Sequence, residues 1–113
     1  MITIRIKRNT QSEITAFKIT GHSLYANPGE DIICSAVSAI SIGTVNAVEK
    51  LLAIPLDRYT EVKDGFLHCV LPSIDQKDTQ EKMQLLLEAM IVSFESIMMN
   101  EEYKPYIQLI DGR

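Results

Sequence analysis

His22 and Cys34 lie twelve positions apart in the stretch GHSLYANPGEDIIC, immediately ahead of a long uncharged run. A free thiol titrates at about 8.5, so only a few per cent is thiolate at neutral pH unless its surroundings help. Two kinds of help are in reach. The intervening loop can fold the imidazole back onto the sulfur, and a helix beginning at the uncharged run offers the partial positive charge of its N-terminus. The pattern points to nucleophilic thiol chemistry, with His22 as base and Cys34 as nucleophile. Asp31 stands where it can cap the helix by accepting a backbone N–H, which predicts Cys34 in the first turn. First-turn amides lack intrahelical acceptors, so those of Cys34 and Ser35 are candidate oxyanion donors. Ser38 falls on the same helix face, four residues on. Gly21 and Gly29 bracket a segment containing Tyr25, and their permissive backbones suit a loop that closes over a bound peptide.

Each residue also has a plainer reading. A lone Cys in an apolar helix is commonly an inert packing residue. Asp31 can be a helix cap alone or a third group that orients His22. Ser38 can simply pack, Tyr25 can anchor the loop, and Gly29 can make a turn. Cys69 alternates with Leu67 and Leu71, which predicts an inward-facing core thiol, and places His68 on the opposite face. A metal site built from His22, Asp31, Cys34 and His68 lacks any close-spaced ligand pair, so neither metal nor other cofactor is expected.

The elements that must position these residues read as strand, strand, helix, strand, strand, helix and a short terminal strand. Ile2, Ile4 and Ile6 alternate with Thr3, Arg5 and Lys7, the period of a strand with one buried face. A polar turn over Asn9 to Glu13 leads to a second strand from Ile14 to Thr20, giving a hairpin. Asp64-Gly65 between Tyr59 to Lys63 and Phe66 to Leu71 predicts another. From Ile32 to Val48 there is no charged residue, which predicts a helix buried on most of its circumference. A membrane span is disfavoured because the run is shorter than about 20 residues, carries five serine, threonine and asparagine side chains, and stops at Glu49-Lys50. A second helix over Gln76 to Asn100 presents Met83, Leu86, Leu87, Met90, Phe94, Ile97 and Met98 as one core-facing stripe. Tyr106 to Ile110 follows Pro105 as an edge strand. The expected fold is α/β (α+β): a small mixed or antiparallel sheet of two hairpins packed against two long helices.

Composition sets the frame. A chain of 113 residues, 46% hydrophobic, fits a single domain over residues 1–113 with one modest core. The net charge of −4 and the lack of a basic stripe argue against a direct nucleic-acid ligand. The opening MITIRIKRNT alternates instead of forming a continuous apolar segment, so secretion is not expected, and two cysteines are too few for a disulfide framework. Free thiols in a reducing, cytoplasmic setting are the expectation.

Gly21-His22, Tyr25-Ala26, Gly29, Asp31-Ile32 and Cys34-Ser35-Ala36-Val37-Ser38 together resemble the signature of the ribosomal-processing cysteine proteases. The likeness runs over nearly the whole chain, through the alternating first strand, the Asp64-Gly65 hairpin and the Leu85-Leu86-Leu87-Glu88 segment. It departs at Ser35, where Ala is more usual, and at the Asn9 to Glu13 turn, which lacks the family's Gly. The resemblance implies a small α/β homodimer in which His22 and Cys34 form the catalytic pair. It implies a substrate too: the N-terminal extension of a large-subunit ribosomal protein, cut after a hydrophobic, Phe-containing segment. Two other classes remain open from the residues themselves, a non-catalytic module that binds a peptide or ribosomal protein, and an oligomerisation domain that buries the uncharged helix against a second copy.

Overall fold

The computed structural model describes residues 1–21 and 28–112, with side chains from Ile32 onward in the second stretch. Five strands and two long helices follow in the order β1 (Ile2–Arg8), β2 (Ile14–Thr20), α1 (Pro28–Leu52), β3 (Thr60–Lys63), β4 (Phe66–Val70), α2 (Lys77–Met98) and β5 (Ile107–Asp111). The strands form one mixed sheet in the order β3-β4-β2-β1-β5. β1 pairs antiparallel with β2, β2 with β4 and β4 with β3, whereas β5 runs parallel to β1 at the far edge. Both expected hairpins and the terminal edge strand are present.

Alternation along the strands decides which face is covered. Ile2, Ile4 and Ile6 of β1, Phe17 and Ile19 of β2, Leu67 and Cys69 of β4 and Ile107 of β5 are buried in one cluster with residues of both helices. α2 contributes Met83, Leu87, Met90, Ile91 and Phe94 to it, with Leu86, Ile97 and Met98 partly buried against them. The stripe expected from helical spacing is therefore the packed one.

α1 departs from expectation in three ways. It begins at Pro28, ahead of Asp31, because proline at the first helical position presets φ and has no N–H to leave unpaired. Asp31 thus lies inside the helix and is not its cap. Among the described side chains of α1, burial is confined to one stripe, Ile33, Val37, Ser41, Val45 and Val48, while Ile32 and Ile42 are exposed; the described residues do not cover most of the helix. The apolar stretch Ile32–Leu52 is 21 residues, so it is long and apolar enough to cross a membrane by length and composition. In this fold that buried stripe is seated in the core, and Ser41 Oγ donates to the Val37 carbonyl at 2.8 Å, which satisfies its buried hydroxyl.

Two tight turns join the hairpins, and the second borders the cleft. In the β1–β2 turn, which lacks the Gly that the resemblance implies between Asn9 and Glu13, the left-handed position falls on Ser12, φ 65°. Asn9 Oδ1 steadies it by accepting the N–H groups of Gln11 and Glu13. Gly65 takes the positive φ of the β3–β4 turn, 69°.

Candidate active site

The sulfur of Cys34 opens onto a cleft of about 240 Å³ between α1 and the β3–β4 turn. α1 supplies Cys34, Ser38 and Ile42 along one face, at the four-residue spacing that stacks side chains in a helix. The opposite wall is the turn from Lys63 to Phe66, and Gly21 and Ile19 close the end. That wall arrives through sheet pairing: β4 lies beside β2, and the Gly21 N–H donates to the Gly65 carbonyl at 3.0 Å. Lys63 Nζ sits 5.3 Å from the centroid of the Phe66 ring, holding both side chains at the rim.

Of the sequence-derived site residues, the structure thus brings together Cys34, Ser38 and Gly21. Ser35 is exposed on α1. His22 and Tyr25 lie outside the described residues. Gly29 and Asp31 enter only as helical backbone, and the Asp31 side chain lies outside the described residues. Lys63, Phe66 and Ile42 were not among the sequence candidates, because nothing local in sequence links a hairpin tip to residue 34.

The position of Cys34 corrects the expected oxyanion arrangement. Cys34 is in the second turn of a helix that starts at Pro28, so helical geometry engages its N–H with the Glu30 carbonyl and that of Ser35 with the Asp31 carbonyl. The N–H groups of the helix without helical acceptors are those of residues 29 and 30. Because Cα–Cβ bonds tilt toward the helix start, a side chain at Cys34 leans toward that end.

Gly21 is at φ 97°, and a Cβ there would collide with the backbone oxygen of Met1. Gly21→Ala is accordingly expected to lose about 2–3 kcal/mol of stability from left-handed strain and displacement of the β1 start. A thermal unfolding midpoint lowered by roughly 10 °C would show it.

The two thiols are sharply different. Cys69 is fully buried, Thr60 Oγ1 contacts its sulfur at 3.5 Å, and burial pushes its thiol up, with the Thr60 hydrogen bond pulling the other way. Cys34 is half-buried at the cleft. Iodoacetamide on the folded protein is therefore expected to label Cys34 at least about 100-fold faster than Cys69, since the thiolate is the reactive form and access is required. Peptide mapping of the adduct checks this; equal labelling would contradict it. Among the described residues no group of His, Cys, Asp and Glu is arranged to hold a metal ion.

Comparison with known proteins gives consistent results. A family model described as cysteine protease Prp matches residues 1–108. The ribosomal processing cysteine protease Prp of Bacillus subtilis is 35% identical over 115 residues, covering 96% of each chain. The protein of that name in Staphylococcus aureus strain Mu50 is 33% identical, covering 96% of this chain and 97% of its own. A crystal structure of an essential ribosomal processing protease Prp from S. aureus with a substrate peptide superposes with a TM-score of 0.81 at 32% identity, covering 98% of this chain and 99% of the other. A second, with a covalently linked product peptide, gives 0.78 at 33% identity and the same coverage.

Proposed function

This chain belongs to the family of ribosomal-processing cysteine proteases, and from that premise we propose that it removes the N-terminal extension of a large-subunit ribosomal protein, using Cys34 as nucleophile and His22 as base. The observation that carries the residue assignment is the contrast between thiols: Cys34 faces an open cleft and Cys69 is sealed in the core.

In the proposed cycle His22 accepts the Cys34 proton and the thiolate attacks the scissile carbonyl carbon, forming a C–S bond. The tetrahedral adduct collapses as the C–N bond breaks, and His22 delivers the proton to the leaving amine. Water, deprotonated by the same imidazole, attacks the thioester; the C–S bond breaks, the acid product leaves and the thiol is regenerated. The S. aureus relative solved with a covalently linked product peptide supports such an intermediate. Ser38 lines the cleft one turn along from Cys34, which supports a contact with peptide backbone in the proposal. Asp31 keeps an orienting role in the proposal.

The proposal includes a homodimer in the cytoplasm, without a cofactor, a membrane or a nucleic acid as direct partner. Exposed Leu85, Val92 and Met99 repeat every seven residues at the α2 surface, which supports a helix-mediated contact between copies.

The test is to incubate the purified protein with the extended ribosomal precursor and sequence the product's new N-terminus. A single new terminus after the hydrophobic, Phe-containing segment is expected. An intact precursor, or the same cleavage by Cys34→Ala, contradicts the proposal.

A further inference from the structure

The cleft at Cys34 does not end there. A second cleft of about 220 Å³ adjoins it and shares Ile42, Val62 and Leu67 with it. Together they make one groove that follows α1 from Cys34 to Glu49 and Asp57 at the far end. At the helical rise, Glu49 is about 22 Å from Cys34, the length of roughly six or seven extended residues.

Among the described residues, one side of this groove is an open strand. β3 is the outermost strand of the sheet. The direction of each backbone group in β4 follows from two printed ends of its pairing with β2: the Gly21 N–H donates to the Gly65 carbonyl, and the Leu71 N–H to the Thr15 carbonyl. Antiparallel alternation then turns the backbone of Leu67 and Cys69 toward β2, and that of Phe66 and His68 toward β3. Lys63 and Glu61, their partners in register, are thereby engaged. Val62 and Thr60, opposite Leu67 and Cys69, aim their N–H and C=O groups out of the sheet. These are the two β3 residues whose side chains line the groove beyond the turn, and Val62 is 59% exposed.

We infer that the substrate peptide binds as an added strand on β3, its backbone exchanging hydrogen bonds with Val62 and Thr60 while alternate side chains enter the groove beside Ile42 and Val45. This rests on the protease reading above. The occupant is the stretch of substrate on one side of the bond cleaved at Cys34. Continuity argues for it: a chain lying along β3 runs through the shared residues Ile42, Val62 and Leu67 directly to the sulfur. Extended peptide also presents its backbone at the spacing an edge strand requires, so recognition of length and backbone is built in alongside recognition of the side chains nearest the bond.

The experiment measures kcat/KM for synthetic peptides carrying the cleavage sequence, lengthened stepwise on each side and then N-methylated at one amide at a time. The expected result is a rise in kcat/KM over about six residues on one side only. Within that stretch, N-methylation at alternate amides lowers kcat/KM by about tenfold or more, with the intervening amides little affected. Val62→Pro, which removes an outward N–H and spares the ladder to β4, is expected to lower kcat/KM for the long peptide by about tenfold. Cleavage that is independent of length beyond two residues, or equally sensitive to methylation at every amide, overturns strand addition and leaves the protease reading standing. Failure to cleave any peptide or the precursor overturns both.

Discussion

Cys34→Ala is expected to abolish peptide cleavage, by at least about 10⁴-fold in kcat, while leaving the unfolding midpoint unchanged within about 2 °C. Two physical arguments set that size. Without the sulfur there is no covalent intermediate, and acyl transfer must proceed by direct attack of water in a site with no preorganised nucleophile. Ala at this position removes one half-buried atom at a cleft wall, outside the buried stripe of α1, so the packing cost is small. The opposite behaviour is expected of Cys69→Ala. That thiol fills space in the core against Phe17 in the sheet register, so its removal lowers stability by about 1 kcal/mol and leaves cleavage intact. A Cys34→Ala protein that still processed peptide at a rate near that of the parent would end the thiol mechanism.

The largest expected effect on stability is far from the cleft. Arg8 has a side chain only 2% exposed, and it gathers the carboxylates of Asp111 and Glu88. Its Nε and Nη2 donate to Asp111 at 2.7 and 3.0 Å, and Nη2 and Nη1 to Glu88 at 2.6 and 3.3 Å. Nη1 also donates to the Ser12 carbonyl at 2.8 Å. Those hydrogen bonds, to Asp111 first and Glu88 second, push the guanidinium above its ordinary value, so it stays charged. One side chain thereby joins the end of β1, the β1–β2 turn, α2 and β5. Arg8→Ala is expected to cost about 3 kcal/mol, toward the low end for breaking a buried ion pair because Glu88 and Asp111 retain contact with solvent. That is a substantial share of the stability of a domain this size. Urea denaturation measures it; Arg8→Lys, which keeps charge but loses the fork, should recover only part. A loss below about 0.5 kcal/mol would show that the network contributes nothing net. The effect should also appear as faster amide exchange in β5, which is held by the parallel ladder to β1, by Ile107 in the core and by this cluster.

Local pattern carried much of this fold. Ile2, Ile4 and Ile6 alternate because β1 has one covered face, and Asp64-Gly65 makes a turn because Gly65 adopts positive φ. Met83, Leu87, Met90 and Phe94 repeat at helical spacing because α2 packs one stripe. The start of α1 differs from the expected one for a readable reason: Pro28 with Glu30 and Asp31 after it is itself a first-turn signal, and it competes with the reading of Asp31 as a cap. What local pattern does not carry is contact between distant segments. Arg8, Glu88 and Asp111 meet only after β5 has docked parallel to β1. The cleft shows the same division. Cys34 and Ser38 share a wall by helical spacing, whereas Lys63, Phe66 and Val62 reach it through the pairing of β2 with β4 and of β4 with β3.

The central claim is that peptide carbon becomes bonded to the sulfur of Cys34. Mixing the protein with a peptide substrate, quenching in acid within the first turnover and mapping the adduct by mass spectrometry tests this most directly. The expected result is an acyl group of the N-terminal product's mass on the peptide containing Cys34, absent from the peptide containing Cys69 and absent in His22→Ala under the same conditions. Substrate turned over with no adduct at Cys34, or with the acyl group on another residue, would contradict the account.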